Sequence, residues 1–333
     1  MACENNTGEA VVKVQAIQSA MDNMLRGWGR VPGNQDKLVF NKRLLHFLGE
    51  WLYSEYQPFP EKAHFWDRLY LWLNQVPKDS DQTQDQQSLF NFIPWLLFAA
   101  ESDLISMYRA AFMGPICRWL IEQEKILIDK PDIGARLHDA RIATWFGSVA
   151  GMDINTFCRV NEIFGQSYRP EFRFVSEFCN MKNLSKWLMR SNYKRIVVVE
   201  DMIGTGEQLQ EAIPSLSKLS TFQILIVPLL LAPEGWDVAK GITKKYKHIQ
   251  CEPLFILPEP CLLRRVAVGG ESDEFASLRE IVVRRFGGDF GFGGDYGTLA
   301  LSYLNCPDNV PSLIHHRTTH WPYSLFPRAT REG

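Results

Sequence analysis

Apolar positions in the first part of the chain recur with the period of a helix. Val11, Val14, Ile17, Met21, Met24 and Leu25 mark a helix over 10–26, closed by Gly27, Gly29, Pro32 and Gly33. Leu44, Leu45, Phe47, Leu48, Trp51 and Leu52 mark a second, ended by Pro58 and Pro60. Phe65, Trp66, Leu69, Leu71, Trp72 and Leu73 crowd onto the wide apolar face of a third over 61–75. Two more are expected over 89–100 and 102–123, with Ser102 as the cap of the last. Aromatic rings at this spacing read as core. Between the third and fourth helices the stretch 77–88, PKDSDQTQDQQS, is polar and without period: a linker or a long inter-helix loop.

From about Arg141 the pattern changes. Apolar runs predict strands at 142–146, 195–199, 223–231 and 249–257, and helical spacing falls between them at 153–164, 207–219 and 236–246. A further stretch, 176–189, reads as an exposed helix. Strand alternating with helix indicates a parallel sheet joined by crossover helices. The fold class is therefore α/β, preceded by an all-helical N-terminal domain, with residues 1–130 in the helical domain and 131–333 in the α/β domain. Toward the end, 287–297 places six glycines among aromatics. It is either a flexible lid or a turn-rich link into a strand at 298–304. The proline-rich tail beyond suits a rigid clasp.

Composition narrows this picture. A chain of 333 residues with 46% hydrophobic and 22% charged residues is long enough for two domains and a large core. Its net charge of −2 offers no global basic field, so a nucleic-acid partner would need a local patch. Arg264-Arg265 and Arg284-Arg285 are candidates for one, against the commoner reading of solvated surface. The seven cysteines form no CxxC or CxxH pair, as expected of reduced thiols in a cytoplasmic protein. His315, His316 and His320 lack an acid or thiol to complete a metal set. No apolar run reaches the length that spans a bilayer, and no membrane partner is expected.

The candidate chemistry lies in Val197–Leu209, VVVEDMIGTGEQL. An apolar strand ends in two adjacent carboxylates, Glu200 and Asp201, and Gly204-Thr205-Gly206 leads into a helix. The unpaired N–H groups of a helix start, with glycines that admit close approach, suit a phosphate. Carboxylates at the carboxyl end of a strand suit sugar hydroxyls, because ligands bind there in open α/β sheets. The loop has neither a GK[ST] ending nor the dinucleotide glycine spacing. A second loop, 147–153, follows the strand at 142–146. Its small residues can face phosphate oxygens, or it is an ordinary turn with Asp153 as helix cap.

The motif resembles the phosphoribosyl-diphosphate (PRPP) loop of the type I phosphoribosyltransferases. That resemblance implies a parallel sheet of the phosphoribosyltransferase type. It implies that Glu200 and Asp201 are the catalytic pair holding the ribose hydroxyls, and that Ile203, Gly204, Thr205, Gly206, Glu207 and Gln208 bind the 5′-phosphate. Ser148, Ala150, Gly151 and Asp153 become a possible diphosphate loop. The cofactor implied is Mg²⁺, carried by the ligand rather than by protein side chains. The stretch 165–194, with Tyr168, Arg169, Arg173 and Lys182, falls where relatives have a flap over the site. Two positions depart from the family: Glu207 stands for a small residue, and Gln208 for Ser or Thr.

The strand leading to Asn305-Cys306-Pro307-Asp308-Asn309, and the closing Trp321–Arg328, resemble the phosphoribosyltransferase-like proteins of prokaryotic conflict systems, some beside retron reverse transcriptases. On that resemblance Asn305, Asn309 and Arg328 line the site or anchor the tail. It implies an anti-phage effector that binds PRPP or a nucleotide and acts at ribose C1. The alternative is a ligand-sensing or complex-forming subunit without chemistry. In either case the helical domain would meet a protein or nucleoprotein partner such as a reverse transcriptase.

Overall fold

A computed structural model describes residues 5–30, 35–59, 64–79, 81–166, 169, 171–178, 180–267, 273–291, 294–307 and 309–328. Cys3, Pro32, Gly33, Pro60, Tyr168, Cys179 and Gly293 lie outside the described residues. In chain order the elements are α1 (Asn5–Trp28), α2 (Gln35–Trp51), α3 (Phe65–Asn74), α4 (Gln82–Phe92), β1 (Leu97–Ala99) and α5 (Glu101–Ala111). A π-helical stretch, Phe112–Ile116, joins α5 to α6 (Cys117–Glu124). Then come α7 (Ile133–Ile142), β2 (Thr144–Ser148), α8 (Ile154–Val160), α9 (Phe172–Phe178), α10 (Met181–Arg190) and β3 (Arg195–Ile203). The chain continues through α11 (Glu207–Leu216), β4 (Gln223–Leu231), α12 (Pro233–Lys245), β5 (Ile249–Cys251), β6 (Phe255–Ile256) and β7 (Leu262–Arg264). It closes with α13 (Asp273–Phe286), β8 (Tyr296–Thr298), β9 (Ala300–Ser302) and α14 (Ser312–His315).

These elements form two compact units. One is the continuous stretch Ser102–Pro258, and the other combines Met1–Glu101 with Glu259–Gly333. The division expected at 130/131 does not coincide with this one. The last seventy-odd residues cluster with the N-terminal helices, while α5 to α7 belong with the sheet.

In the continuous unit the sheet order is β2-β3-β4-β5, all parallel, with β6 added beside β4. β3 is central, and Ile196 to Val199 are fully buried on both faces, which is why they form an unbroken apolar run. A sheet wound in one direction puts its crossover helices on one face. That face packs Trp145, Ile196, Val198, Ile224 and Ile226 against Leu188 of α10, Leu209 and Ile213 of α11 and Ala239 of α12. The opposite face takes its cover from the segment before the sheet and from α8. Phe146 lies 6.5 Å from Phe112 and 6.2 Å from Phe157, and Phe157 lies 5.7 Å from Tyr108. Arg195, buried at the start of β3, pairs with Glu124 of α6 and donates to the Ala140 carbonyl at 3.2 Å.

The second unit is held by both ends of the chain. β1 pairs in parallel with β9, and β7 is antiparallel to β8. The tail is a clasp, as its prolines suggest. Phe326 is fully buried among Tyr53, Tyr56, Phe59, Phe65 and Phe98, with ring centroids 5.1–6.2 Å away. Arg68 of α3 donates to the carbonyls of Leu325 (3.1 Å) and Ser324 (2.7 Å), and Tyr56 donates to Pro327 at 2.7 Å. The polar stretch 77–88 is not a bare linker, because α4 begins at Gln82. Its acids meet α13: Arg284 pairs with Asp81 and Asp85, and Arg285 with Asp79 and Asp85. Arg284-Arg285 is thus neutralised rather than a free basic patch, and Arg264 pairs with Glu259 at 2.9 Å. Of the 287–297 segment, 287–291 and 294–297 are described, and Phe290 within it is fully buried. The strand expected at 298–304 is two short ones, β8 and β9.

The clasp makes a direct prediction. Phe326→Ala removes a fully buried ring and should cost about 3–5 kcal/mol, whereas truncating exposed Tyr323 should cost well under half of that. Chemical denaturation of the two variants measures both, and equal costs would show that Phe326 does not organise this core.

Candidate functional site

Glu200, Asp201 and the candidate loops at 148–153 and 203–208 all lie in the continuous unit. β2 and β3 are neighbours in register from Thr144↔Arg195 to Ser148↔Val199. The loops that follow them, 149–153 and 204–206, therefore leave the same edge of the sheet, where open α/β folds bind ligands. Along β3 the side chains alternate, and this separates the two acids. Glu200 shares its face with Ile196 and Val198, and Asp201 shares the face of Tyr108 and α5.

Glu200 is 4% exposed. Its Oε2 accepts hydrogen bonds from the backbone N–H of Val149 at 2.9 Å and of Ala150 at 2.8 Å. A buried carboxylate is tolerated only with such donors. Glu200 thus ties the end of β3 to the loop after β2, and its carboxylate is directed into that loop rather than toward an open pocket. Burial and the neighbouring Asp201 charge push its pKa well above the usual carboxylate range, against the pull of the two amides.

Asp201 accepts a hydrogen bond from the Tyr108 hydroxyl at 3.3 Å. Burial pushes its pKa up to about 6, with the Asp153 charge adding to the rise and Tyr108 opposing it. Of the two acids, Asp201 is the less enclosed. The two carboxylates leave β3 on opposite faces.

The Gly204-Thr205-Gly206 loop does open a helix, as its sequence predicts. Gly206 is the cap residue of α11 with φ 83°, a left-handed conformation that costs any other side chain strain. The intrahelical ladder begins with Gln210 N–H to the Gly206 carbonyl at 2.9 Å, so the amides before it belong to the helix start. Thr205 Oγ1 accepts from the Glu207 N–H at 3.3 Å. The side chains of Glu207 and Gln208 are exposed, whereas Ile203, Gly204 and Gly206 are buried. The loop is braced by α12: a Cβ at Gly235 would stand 2.4 Å from the Gly204 carbonyl, and one at Gly206 would stand 2.8 Å from Val238.

Asp153 is a helix cap, its Oδ1 accepting from the N–H groups of Asn155 and Thr156 at 3.1 Å each. Gly151 N–H donates to Glu171 Oε2 at 3.1 Å, and Ser148 is fully buried with no partner for its hydroxyl among the described residues. Arg169 donates to Asn155 and to the Ile163 carbonyl, and Arg173 pairs with Glu211, so both guanidinium groups have structural partners. Asn305, Asn309 and Arg328 fall in the other unit, where Asn305 Oδ1 accepts from Cys306 and the Asn309 carbonyl from Thr298. Half-buried His315 meets the Val310 carbonyl, and among the described residues no three His, Cys, Asp or Glu converge as a metal site.

Sequence reasoning missed Tyr108, Glu171 and Gly235. Tyr108 read as one aromatic on a core helix face, and Glu171 as one charge in a mixed stretch. Gly235, beside the helix-starting Pro233, carried the most visible signal: a glycine inside the first turn of an otherwise ordinary helix.

The continuous unit thus joins a parallel sheet, a glycine-hinged loop at a helix start and an acid on the strand before it. The PRTase-CE family model matches residues 70–328, and the chain belongs to that phosphoribosyltransferase-like family. The match reaches back into α3, well before the region of the sequence resemblance, and so takes in part of both units. No curated protein and no solved structure matches the chain. Among the described residues no helix is long and apolar enough to cross a membrane.

Two predictions test this geometry. Gly235→Ala drives a methyl into the Gly204 carbonyl and should destabilise the unit, while Gly241→Ala, in open space on the same helix, should stabilise it by about 0.5–1 kcal/mol. Equal effects in a denaturation experiment would remove the close approach of α12 to the loop. For Asp201, the folded pKa lies above the ordinary value, so the folded state holds the extra proton and stability falls as pH rises from about 4 through 6. Asp201→Asn should therefore raise the melting temperature at pH 8, with the gain vanishing below about pH 4; a gain independent of pH would show that Asp201 carries no strained charge.

Proposed function

We propose that the protein binds a ribosyl 5′-phosphate, as PRPP or as a nucleotide, and acts at ribose C1. The observation that carries this is the pairing of a phosphate-suited helix start with Asp201 on the strand feeding it. The amides of the α11 start and Thr205 would receive the monoester. Asp201 would hold the ribose hydroxyls, with Tyr108 orienting its carboxylate. Glu200 shapes the loop and is a positioning residue in this reading. A group titrating near 6 can also pass a proton to a leaving base at neutral pH.

Mg²⁺ would enter this site as a cation carried by the phosphate and hydroxyl oxygens of the ligand. Bound in that way it would neutralise charge on the ligand. The biological setting we propose, anti-phage defence beside a retron or similar system, rests on the likeness of the motif and tail to conflict-system proteins.

A second reading, a ligand sensor or complex-forming subunit, is favoured by the commitment of Glu200 to the loop amides. The partner surface in that reading is α2, where Phe40, Phe47 and Trp51 are exposed one or two helical turns apart. Incubation with ribosyl phosphates and Mg²⁺ separates the two: loss of base or diphosphate that needs Asp201 marks an enzyme, and saturable binding without release marks a sensor.

The test of binding is the double variant Asp201→Asn, Thr205→Ala, titrated with ribose 5-phosphate and Mg²⁺ in a calorimeter. Affinity should fall about a hundredfold while the melting temperature does not drop. Unchanged affinity would end the proposal.

A further inference from the structure

The two loops at the carboxyl edge of the sheet are not alike. The loop at the start of α11 makes a contact between Thr205 Oγ1 and the Glu207 amide. The loop after β2 is occupied by the protein's own anions. Val149 and Ala150 N–H share Glu200 Oε2 at 2.9 and 2.8 Å, and Gly151 N–H is held by Glu171 Oε2 at 3.1 Å. Three successive amides, the group that would cradle a ligand's anionic oxygens, thus receive carboxylate oxygens instead.

The surroundings lock this arrangement. Arg173 N–H donates to the Val149 carbonyl at 3.0 Å, and Ser148 and Glu171 form a parallel bridge. Val149 packs in the same core as Phe172 and Val175. Glu200 is 4% exposed, so it cannot swing to solvent without opening that core. Of the nearby cations, Arg173 is paired with Glu211, and Arg169 donates to Asn155 and the Ile163 carbonyl. A diphosphate would find these three amides already occupied, with acid oxygens standing where its own would sit.

We infer that the site takes ribose 5-phosphates whose C1 substituent is uncharged, nucleoside 5′-monophosphates above all, and rejects PRPP because Glu200 and Glu171 fill the amide nest its diphosphate would need. This rests on the ribosyl-phosphate reading of the α11 loop and narrows it to one substrate class. Glu200 and Glu171 then act as built-in substitutes for a ligand's anion, and they set specificity without touching the sugar.

The experiment is equilibrium binding of three probes to the full chain with Mg²⁺: ribose 5-phosphate, adenosine 5′-monophosphate and PRPP. The first two should bind saturably, and PRPP should bind about tenfold more weakly or worse. Glu200→Ala frees two amides and should raise the ratio of PRPP to ribose 5-phosphate affinity about tenfold. Should that variant fail to fold, Glu171→Ala, at an exposed position, releases the Gly151 amide and should move the PRPP to ribose 5-phosphate ratio the same way by a few fold. Equal binding of PRPP and ribose 5-phosphate by the unaltered protein, or variants that leave the ratio unmoved, would overturn this inference alone. Failure of all three probes to bind would overturn the ribosyl-phosphate reading along with it.

Discussion

One buried carboxylate organises the candidate site. Glu200 sits at the end of the central strand, almost without solvent, and is tolerable there only because two backbone amides of the neighbouring loop reach its oxygen. The dependence is mutual. A loop of small residues at a sheet edge has no fixed shape of its own, and the shared oxygen gives it one. From that point the rest of the edge follows. The loop fixes Gly151 against Glu171, the strand turns Asp201 to the opposite face against Tyr108, and five residues later the chain enters α11 through Gly206.

The alternation of a strand decides the division of labour between the adjacent acids. Neighbours along β3 must face opposite ways, so Glu200 serves the loop and Asp201 serves the edge. The same alternation explains the shift of Asp201 toward neutral pH. It lies on the face covered by α5 and α8, where burial and Asp153 disfavour its charge and a single hydroxyl favours it. A carboxyl group in that state can hold a sugar hydroxyl or exchange a proton, and the protein spends some stability to keep it there.

The second unit shows a different principle. Its core is closed by residues from both ends of the chain, with Phe326 seated among rings from the first hundred residues and Arg68 holding the tail's carbonyls. The acids of 79–85 look like a solvated linker until Arg284 and Arg285 arrive from far along the chain to pair with them. Paired and partly buried, these charges cement α4 to α13 rather than keeping a segment loose. The sheet unit, Ser102–Pro258, is the part of the chain that runs between the two halves of this core.

Local physics was legible in the sequence, and long-range pairing was not. The strand at 223–231 matches β4 residue for residue, because a continuous apolar run bounded by polar residues has only one buried extended solution. The glycine loop before α11 and the cap at Asp153 could be read for the same reason: each depends on contacts within a few residues. What tertiary structure alone decided is which group meets which across the chain. Val149 and Glu200 stand 51 positions apart, Tyr108 and Asp201 stand 93 apart, and no periodicity encodes either meeting. Hydrophobic spacing specifies that a face is buried. Only the packed fold specifies what it is buried against, and here that choice turns a nest suited to a ligand's anion into one filled by the protein itself.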